Sequence, residues 1–221
     1  MWDANDKAGF KTGIIEKKGQ VQDDEFSKKI REFSKNPKNK SFLEIGTWNG
    51  LGSTRQFVIE LENRTDDYIF YSLECNKEKS DYAKSLYVKN KKLHILNEVI
   101  FNVEPNNFDD IFPQCKENEI YKRWNEIDMV NMKSCTLFLN RPELPIIFDV
   151  ILLDGGEFTT YFEFQILKHR CKYLMLDDIN VSKCELIVKE IESNPDKWNI
   201  IEKNTVARNG FMICENLLII N

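Results

Sequence analysis

The chain has 221 residues, 36 acidic against 31 basic side chains, a formal net charge of −5 and an isoelectric point near 5.3. That length suits one α/β domain with a full core, and the acidic balance argues against a broad basic surface for a nucleic-acid backbone. Six cysteines without a C-x-x-C pair argue against a disulfide framework or zinc site and for a reduced, cytoplasmic protein. With neither a signal peptide nor an apolar run of spanning length, no membrane association is expected.

Residues 1–20 mix Trp2, Phe10, Ile14 and Ile15 with Gly9, Gly13 and Gly19. This reads as an N-terminal arm that packs on its own domain or on a second copy in a homodimer, with a disordered leader as the alternative. Residues 21–221 are expected to form the domain. Phe26, Ile30 and Phe33 recur at helical spacing, and Asn36-Pro37 stops that helix. Ser41 to Thr54, SFLEIGTWNGLGST, is the stretch around which the domain is organised: a buried strand, a glycine turn and then a helix carrying Phe57, Val58 and Leu61. Glycines let the backbone approach a ligand, and the helix after them presents unpaired N–H groups, so this is a candidate nucleotide-binding turn.

Tyr68 to Leu73 reads as a second strand ending at Glu74. A carboxylate at that tip, two dozen residues after the glycine turn, can accept both ribose hydroxyls of a bound nucleoside. Asn76 is a helix cap, Cys75 a small buried filler, Leu93 to Ile100 a third strand, and His94 within it structural. Residues 101–145 are the least legible. Short helices at Asn106–Phe112 and Tyr121–Met132 suggest a helical cover with Trp124 as a wall, or an insert that packs only on the fold's own surface.

Ile146 to Leu153 is a near-continuous apolar run, as for a central parallel strand, and ends at Asp154-Gly155-Gly156-Glu157. Tyr173 to Leu176 ends at Asp177-Asp178, so two neighbouring strands deliver three carboxylates to one sheet edge. Gathered carboxylates repel unless a cation or proton intervenes, and Mg²⁺ or Mn²⁺ is the natural partner. Ser182 with Glu185 reads as a capping box, which would leave the aspartate pair free. His169 and Arg170 suit a helix C-terminus. Trp198–Lys203 and Phe211–Ile220 read as a closing hairpin around Asn209-Gly210.

The order Gly46, Gly50, Gly52, with an acid two residues before the first, resembles the first motif of the class I S-adenosylmethionine-dependent methyltransferases. Asp154 with Asp177 and Asp178 resembles the metal site of their small-molecule O-methyltransferases, the catechol type and those acting on sugars. The resemblance spans roughly residues 40–220. It implies a Rossmann-like α/β fold with a seven-stranded, mostly parallel sheet, an antiparallel last strand and helices on both faces. It further implies S-adenosylmethionine held by Glu44, Gly46, Thr47, Trp48, Gly50, Gly52, Ser53 and Glu74, and a divalent ion held by Asp154, Asp177 and Asp178. Asp154 and Asp178, with Glu157 as base, would be catalytic and Arg208 would touch substrate. Many relatives carry a histidine and tyrosine shortly after the first aspartate, where this chain has Glu157, Phe158 and Thr159. The acceptor expected is a sugar hydroxyl on a glycan or small molecule. The alternatives are a catechol or phenol, or a noncatalytic cofactor-binding module partnered with or fused to a glycosyltransferase.

Overall fold

A computed structural model describes residues 21–219, and the expected N-terminal arm lies outside the described residues. The chain opens with α1 (Glu25–Lys35), β1 (Ser41–Ile45), α2 (Ser53–Leu61), β2 (Ile69–Leu73), α3 (Lys77–Leu86) and β3 (Leu93–Leu96). A short β4 (Glu98–Val99) leads into α4 (Phe108–Ile111), α5 (Gln114–Glu117), α6 (Glu119–Lys133) and β5 (Thr136–Leu137). Then come β6 (Phe148–Leu153), α7 (Thr160–Leu167), β7 (Cys171–Asp177), α8 (Ser182–Glu192), β8 (Trp198–Asn204) and β9 (Phe211–Asn216).

Seven strands form one sheet in the order β3-β2-β1-β6-β7-β9-β8. The first five pair in parallel, and β9 runs antiparallel to both neighbours. The Rossmann-like expectation with its closing hairpin is therefore met. Strand alternation feeds two cores. Leu43, Ile45, Ile151, Leu153, Leu174 and Leu176 pack with Phe164 and Leu167 of α7 and Ile187 and Ile191 of α8. Phe42, Phe70, Val150, Leu152 and Met175 face the other way, toward Phe26 and Ile30 of α1 and Phe57 and Leu61 of α2. Central strands covered on both faces must be apolar at consecutive positions, which is why β1 and β6 look unpatterned in sequence.

Two local expectations are corrected. The third strand stops at Leu96, and Glu98–Val99 instead pairs with Thr136–Leu137 in a separate two-stranded ladder that anchors the 101–145 insert. The insert is more helical than expected. It docks through Phe108, Phe112 and Cys115 against Phe158 and Phe162, and through Met129, Met132 and Cys135 against Val99. His94 stacks on Tyr71, their ring centroids 5.0 Å apart, the structural role expected for it.

Candidate active site

The carboxyl ends of β1, β2, β6 and β7 border one cavity of about 1230 Å³, the edge at which ligands bind in open α/β sheets. Gly46 has φ +98°, and a Cβ there would fall on the carbonyl of Asp154 and lie 2.6 Å from its carbon. Only glycine lets the turn lie against the end of β6, which is how the cofactor-type turn and Asp154 become neighbours. The Gly46 and Thr47 amides both donate to the Leu73 carbonyl, at 2.9 and 3.1 Å. Gly52 precedes α2 without a side-chain cap, so the first-turn amides of that helix keep unused donors beside the cavity.

Gly46, Thr47, Trp48, Gly52, Ser53 and Glu74 line the cavity, whereas Glu44 and Gly50 are not on its wall. Gly50 packs on Ala83 and Tyr87, and its carbonyl accepts the Tyr87 hydroxyl at 2.5 Å. Glu44 is fully buried. Its Oε2 accepts from Thr54 Oγ1 at 2.7 Å and Ser72 Oγ at 2.5 Å. Burial pushes its carboxyl up to about 6, against hydroxyls of Ser53, Ser72 and Thr54 that favour the anion. Glu44 thus braces the turn from behind, off the cavity wall.

Glu74 does face the cavity. Its Oε2 accepts the Trp48 amide and its Oε1 the Asn76 amide, both at 2.8 Å. Burial raises its carboxyl, and Lys79 and those two amides pull it back. Oε1 also accepts the Cys75 thiol at 3.8 Å, while Oε2 retains a second lone pair, so a hydroxyl remains a chemically suitable guest. Asn76 caps α3 through Lys79 N at 3.1 Å, as expected. Cys75 is only partly buried and lines the cavity, so it is not the closed-off filler its apolar neighbours suggested.

Asp154, Asp177 and Asp178 converge, with one oxygen of each within 4.8 Å of the others. They are not bare. Lys183 Nζ lies 2.6 Å from Asp154 Oδ1 and 2.6 Å from Asp178 Oδ2, with its side chain 5% exposed. Arg208 grips Asp177 through two nitrogens, at 3.0 and 2.8 Å, and also pairs with Asp24 at 2.7 Å. Asn209 donates to Asp178 Oδ1 at 3.1 Å. Burial opposes the charge on Lys183, but Asp154, Asp178 and Asp177 outweigh it and hold the ammonium well above the usual lysine range. Burial, with Asp177 and Asp178 close by, raises the Asp154 carboxyl while Lys183 pulls it down.

These contacts revise two sequence expectations. The capping box does not form: Val181 is the cap residue of α8 without a side-chain bond, and Glu157 Oε1 instead accepts the Lys183 amide at 3.2 Å. The aspartate pair is also engaged rather than free for a metal. Three carboxylates are a suitable donor set for a hard cation, but an ion between Asp154 and Asp178 would have to take the place of the Lys183 ammonium. In this structure the ammonium occupies that position.

Sequence reasoning missed Lys183 and Glu163. Lys183 sits next to Ser182 in the first turn of a helix, where the macrodipole disfavours a cation, and that misplaced charge was the available signal. Glu163 sits on α7, 4% exposed, beneath Gly155, with Oε2 unpartnered among the described residues. Burial and then Asp128 push its carboxyl up to about 8. No sequence pattern announced it, because an acid inside an apolar helix reads as its solvent face. The remaining wall is the insert: Tyr121, Trp124, Ile127, Asp128, Asn131 and Met132 of α6 line the cavity, and Tyr121 and Trp124 have ring centroids 5.5 Å apart.

The strand order, the antiparallel β9 and the cavity at the carboxyl edge define the Rossmann-like fold of class I methyltransferases. No protein-family model and no curated protein matches the chain. Among solved structures, the chain is similar to an O-methyltransferase from Bacillus cereus in complex with SAH, 14% identical with a TM-score of 0.58, covering 90% of this chain and 84% of that one. It is also similar to the O-methyltransferase TomG from Streptomyces achromogenes, involved in tomaymycin synthesis and in complex with SAM, at 13% identity and a TM-score of 0.56. That match covers 98% of this chain and 90% of that one. At such identities the likeness is one of fold. No described helix is long and apolar enough to cross a membrane.

Proposed function

We propose that the protein is an S-adenosylmethionine-dependent O-methyltransferase whose acceptor is a hydroxyl of a sugar, on a glycan or a glycosylated small molecule. The observation that carries this is the coincidence, in one cavity, of the Gly46–Ser53 turn, the amide-braced Glu74 and the carboxylates at the ends of β6 and β7. In this reading the turn and the first amides of α2 hold the methionine portion of the cofactor, and Glu74 holds its ribose hydroxyls. The cavity exceeds the usual range of about 300–1,000 Å³ for a small-ligand site, consistent with room for cofactor and acceptor together.

The reaction is an in-line displacement. The acceptor oxygen bonds to the sulfonium methyl, the carbon–sulfur bond breaks with its electron pair going to sulfur, and the hydroxyl proton passes to a carboxylate. Asp154 is the assigned proton acceptor because it borders the cavity and burial raises its affinity for a proton, its Oδ1 also accepting from Lys183. A sugar hydroxyl is too weak an acid for a carboxylate to ionise beforehand, so the proton moves as the new bond forms. No step is routed through a metal, since Lys183 stands between the ligands such an ion would need.

Polar lining on the acceptor side, including Asn180, Ser182, Glu185 and Asn209, supports a polyhydroxylated guest. The Tyr121–Trp124 pair favours a second reading, a catechol or phenol stacked on the insert. Methyl transfer from radiolabelled S-adenosylmethionine, screened against sugars and glycosides beside catechols and phenols, tests both. Incorporation into the sugar set alone supports the first reading, incorporation into phenols alone selects the second, and none into either class contradicts the assignment.

A further inference from the structure

Asp154, Asp177 and Asp178 bring three carboxyl groups to the sheet edge, and Lys183 and Arg208 set two cations at contact distance from them. Each cation has a distinct place. Arg208 reaches from the loop before β9 and forks onto Asp177, the most buried of the three. Lys183 comes from the first turn of α8 and lies between Asp154 and Asp178, on the side that borders the cavity.

The backbone is shaped to this end. Asp178 adopts φ +60°, a conformation costly for residues other than glycine and tolerated by aspartate, and Asn209 fixes its other oxygen. Glu157 caps α8 at the Lys183 amide itself, which fixes where the lysine stem departs. A lysine in the first helical turn works against the macrodipole, and burying its side chain to 5% exposure would be unfavourable without the carboxylates. Its position therefore depends on them.

We propose that Lys183 is the resident cation of this site, its ammonium standing where a divalent ion would bridge Asp154 and Asp178, so that the centre works without a metal. The ammonium has three donors and uses two on the aspartates, leaving one for an acceptor oxygen in the cavity. It orients that oxygen and offsets the negative charge that grows there as the proton leaves for Asp154. The role deepens the methyl-transfer reading and rests on it, but occupancy of the cation position can be tested separately.

With Lys183 present, an added divalent ion would meet two cations at contact distance. With an uncharged residue of similar length, three carboxylates and Arg208 leave two negative charges, which one divalent ion neutralises. The test is Mn²⁺ binding to the full chain, monitored by electron paramagnetic resonance with and without S-adenosylhomocysteine, for wild type, Asp154→Asn, Lys183→Met and Lys183→Met/Asp154→Asn. Wild type should bind no Mn²⁺ in the micromolar range. Lys183→Met should bind it tighter by about a hundredfold or more, the scale set by one unit charge at salt-bridge distance, and the double variant should lose that gain. Micromolar Mn²⁺ binding by wild type that Asp154→Asn abolishes would overturn the proposal, as would a folded Lys183→Met that still ignores Mn²⁺. If Lys183→Met does not fold, Lys183→Gln takes its place, and the wild-type arm can refute the idea alone. S-adenosylhomocysteine binding, read calorimetrically on the same samples, reports the methyltransferase reading independently of the Mn²⁺ result.

Discussion

Glu44 offers a prediction whose size is set by its surroundings. The carboxyl is fully buried behind the glycine turn, and burial raises it from 4.5 to about 6 despite the hydroxyls that favour its anion. At about 1.36 kcal/mol per unit, that shift corresponds to about 2 kcal/mol. The folded-state value lies above the unfolded one, so the folded protein takes up the proton first as pH falls. The stabilisation is complete below about 4.5 and lost as pH rises through about 6. At pH 7 the protein therefore carries a buried charge that costs about 2 kcal/mol. Glu44→Gln removes that titration while Asp154, Glu163 and the other shifted groups titrate in both proteins, so the difference between the two isolates Glu44. Urea denaturation of both across pH 4.5 to 7.5 should show wild type losing about 2 kcal/mol relative to the variant as pH rises. The constant offset reports how well glutamine packs and does not enter. A difference that is flat with pH, or that runs the other way, would refute the reasoning.

Three further substitutions probe the frame of the site. Gly46→Ala sets a methyl on the Asp154 carbonyl at φ +98°. It should destabilise by about 2–4 kcal/mol in urea melts, and a neutral result would mean that β1 and β6 do not meet there. Glu74→Gln exchanges the charged acceptor of two amides for a neutral one. It should weaken S-adenosylhomocysteine binding by about 10- to 100-fold, and an unchanged calorimetric Kd would remove Glu74 from the ribose site. Arg208→Ala leaves Asp177, with its side chain 3% exposed, buried without its fork. A loss of about 3–5 kcal/mol is expected, and Arg208→Lys should recover only part of it; full recovery would contradict a two-nitrogen grip.

The chain's periodicity carried most of the fold. Apolar runs at β1 and β6 and the turn at Gly46 to Gly52 lie along the chain, as do the acids at strand ends, so a linear reading finds them. What it could not find was contact across the chain. That Glu44 turns inward and Glu74 outward is decided by which strand face meets Ser72 and Thr54. The pairing of Glu98 and Val99 with Thr136 and Leu137 joins segments nearly 40 residues apart, and neither two-residue stretch has a pattern of its own. The carboxylate trio was legible because strand ends converge by topology, whereas its cations come from a helix start and a hairpin loop whose approach only the folded chain defines. Asp177 and Asp178 looked free because Ser182 and Glu185 fit a capping box, and Glu157 displaced that box from 26 residues away.

The most direct test of the central claim is calorimetric titration of the protein with S-adenosylhomocysteine. The account predicts micromolar binding, about −8 kcal/mol, that is lost or strongly weakened in Glu74→Gln. No binding by a folded wild-type chain would contradict it and leave the glycine turn and Glu74 without the ligand assigned to them.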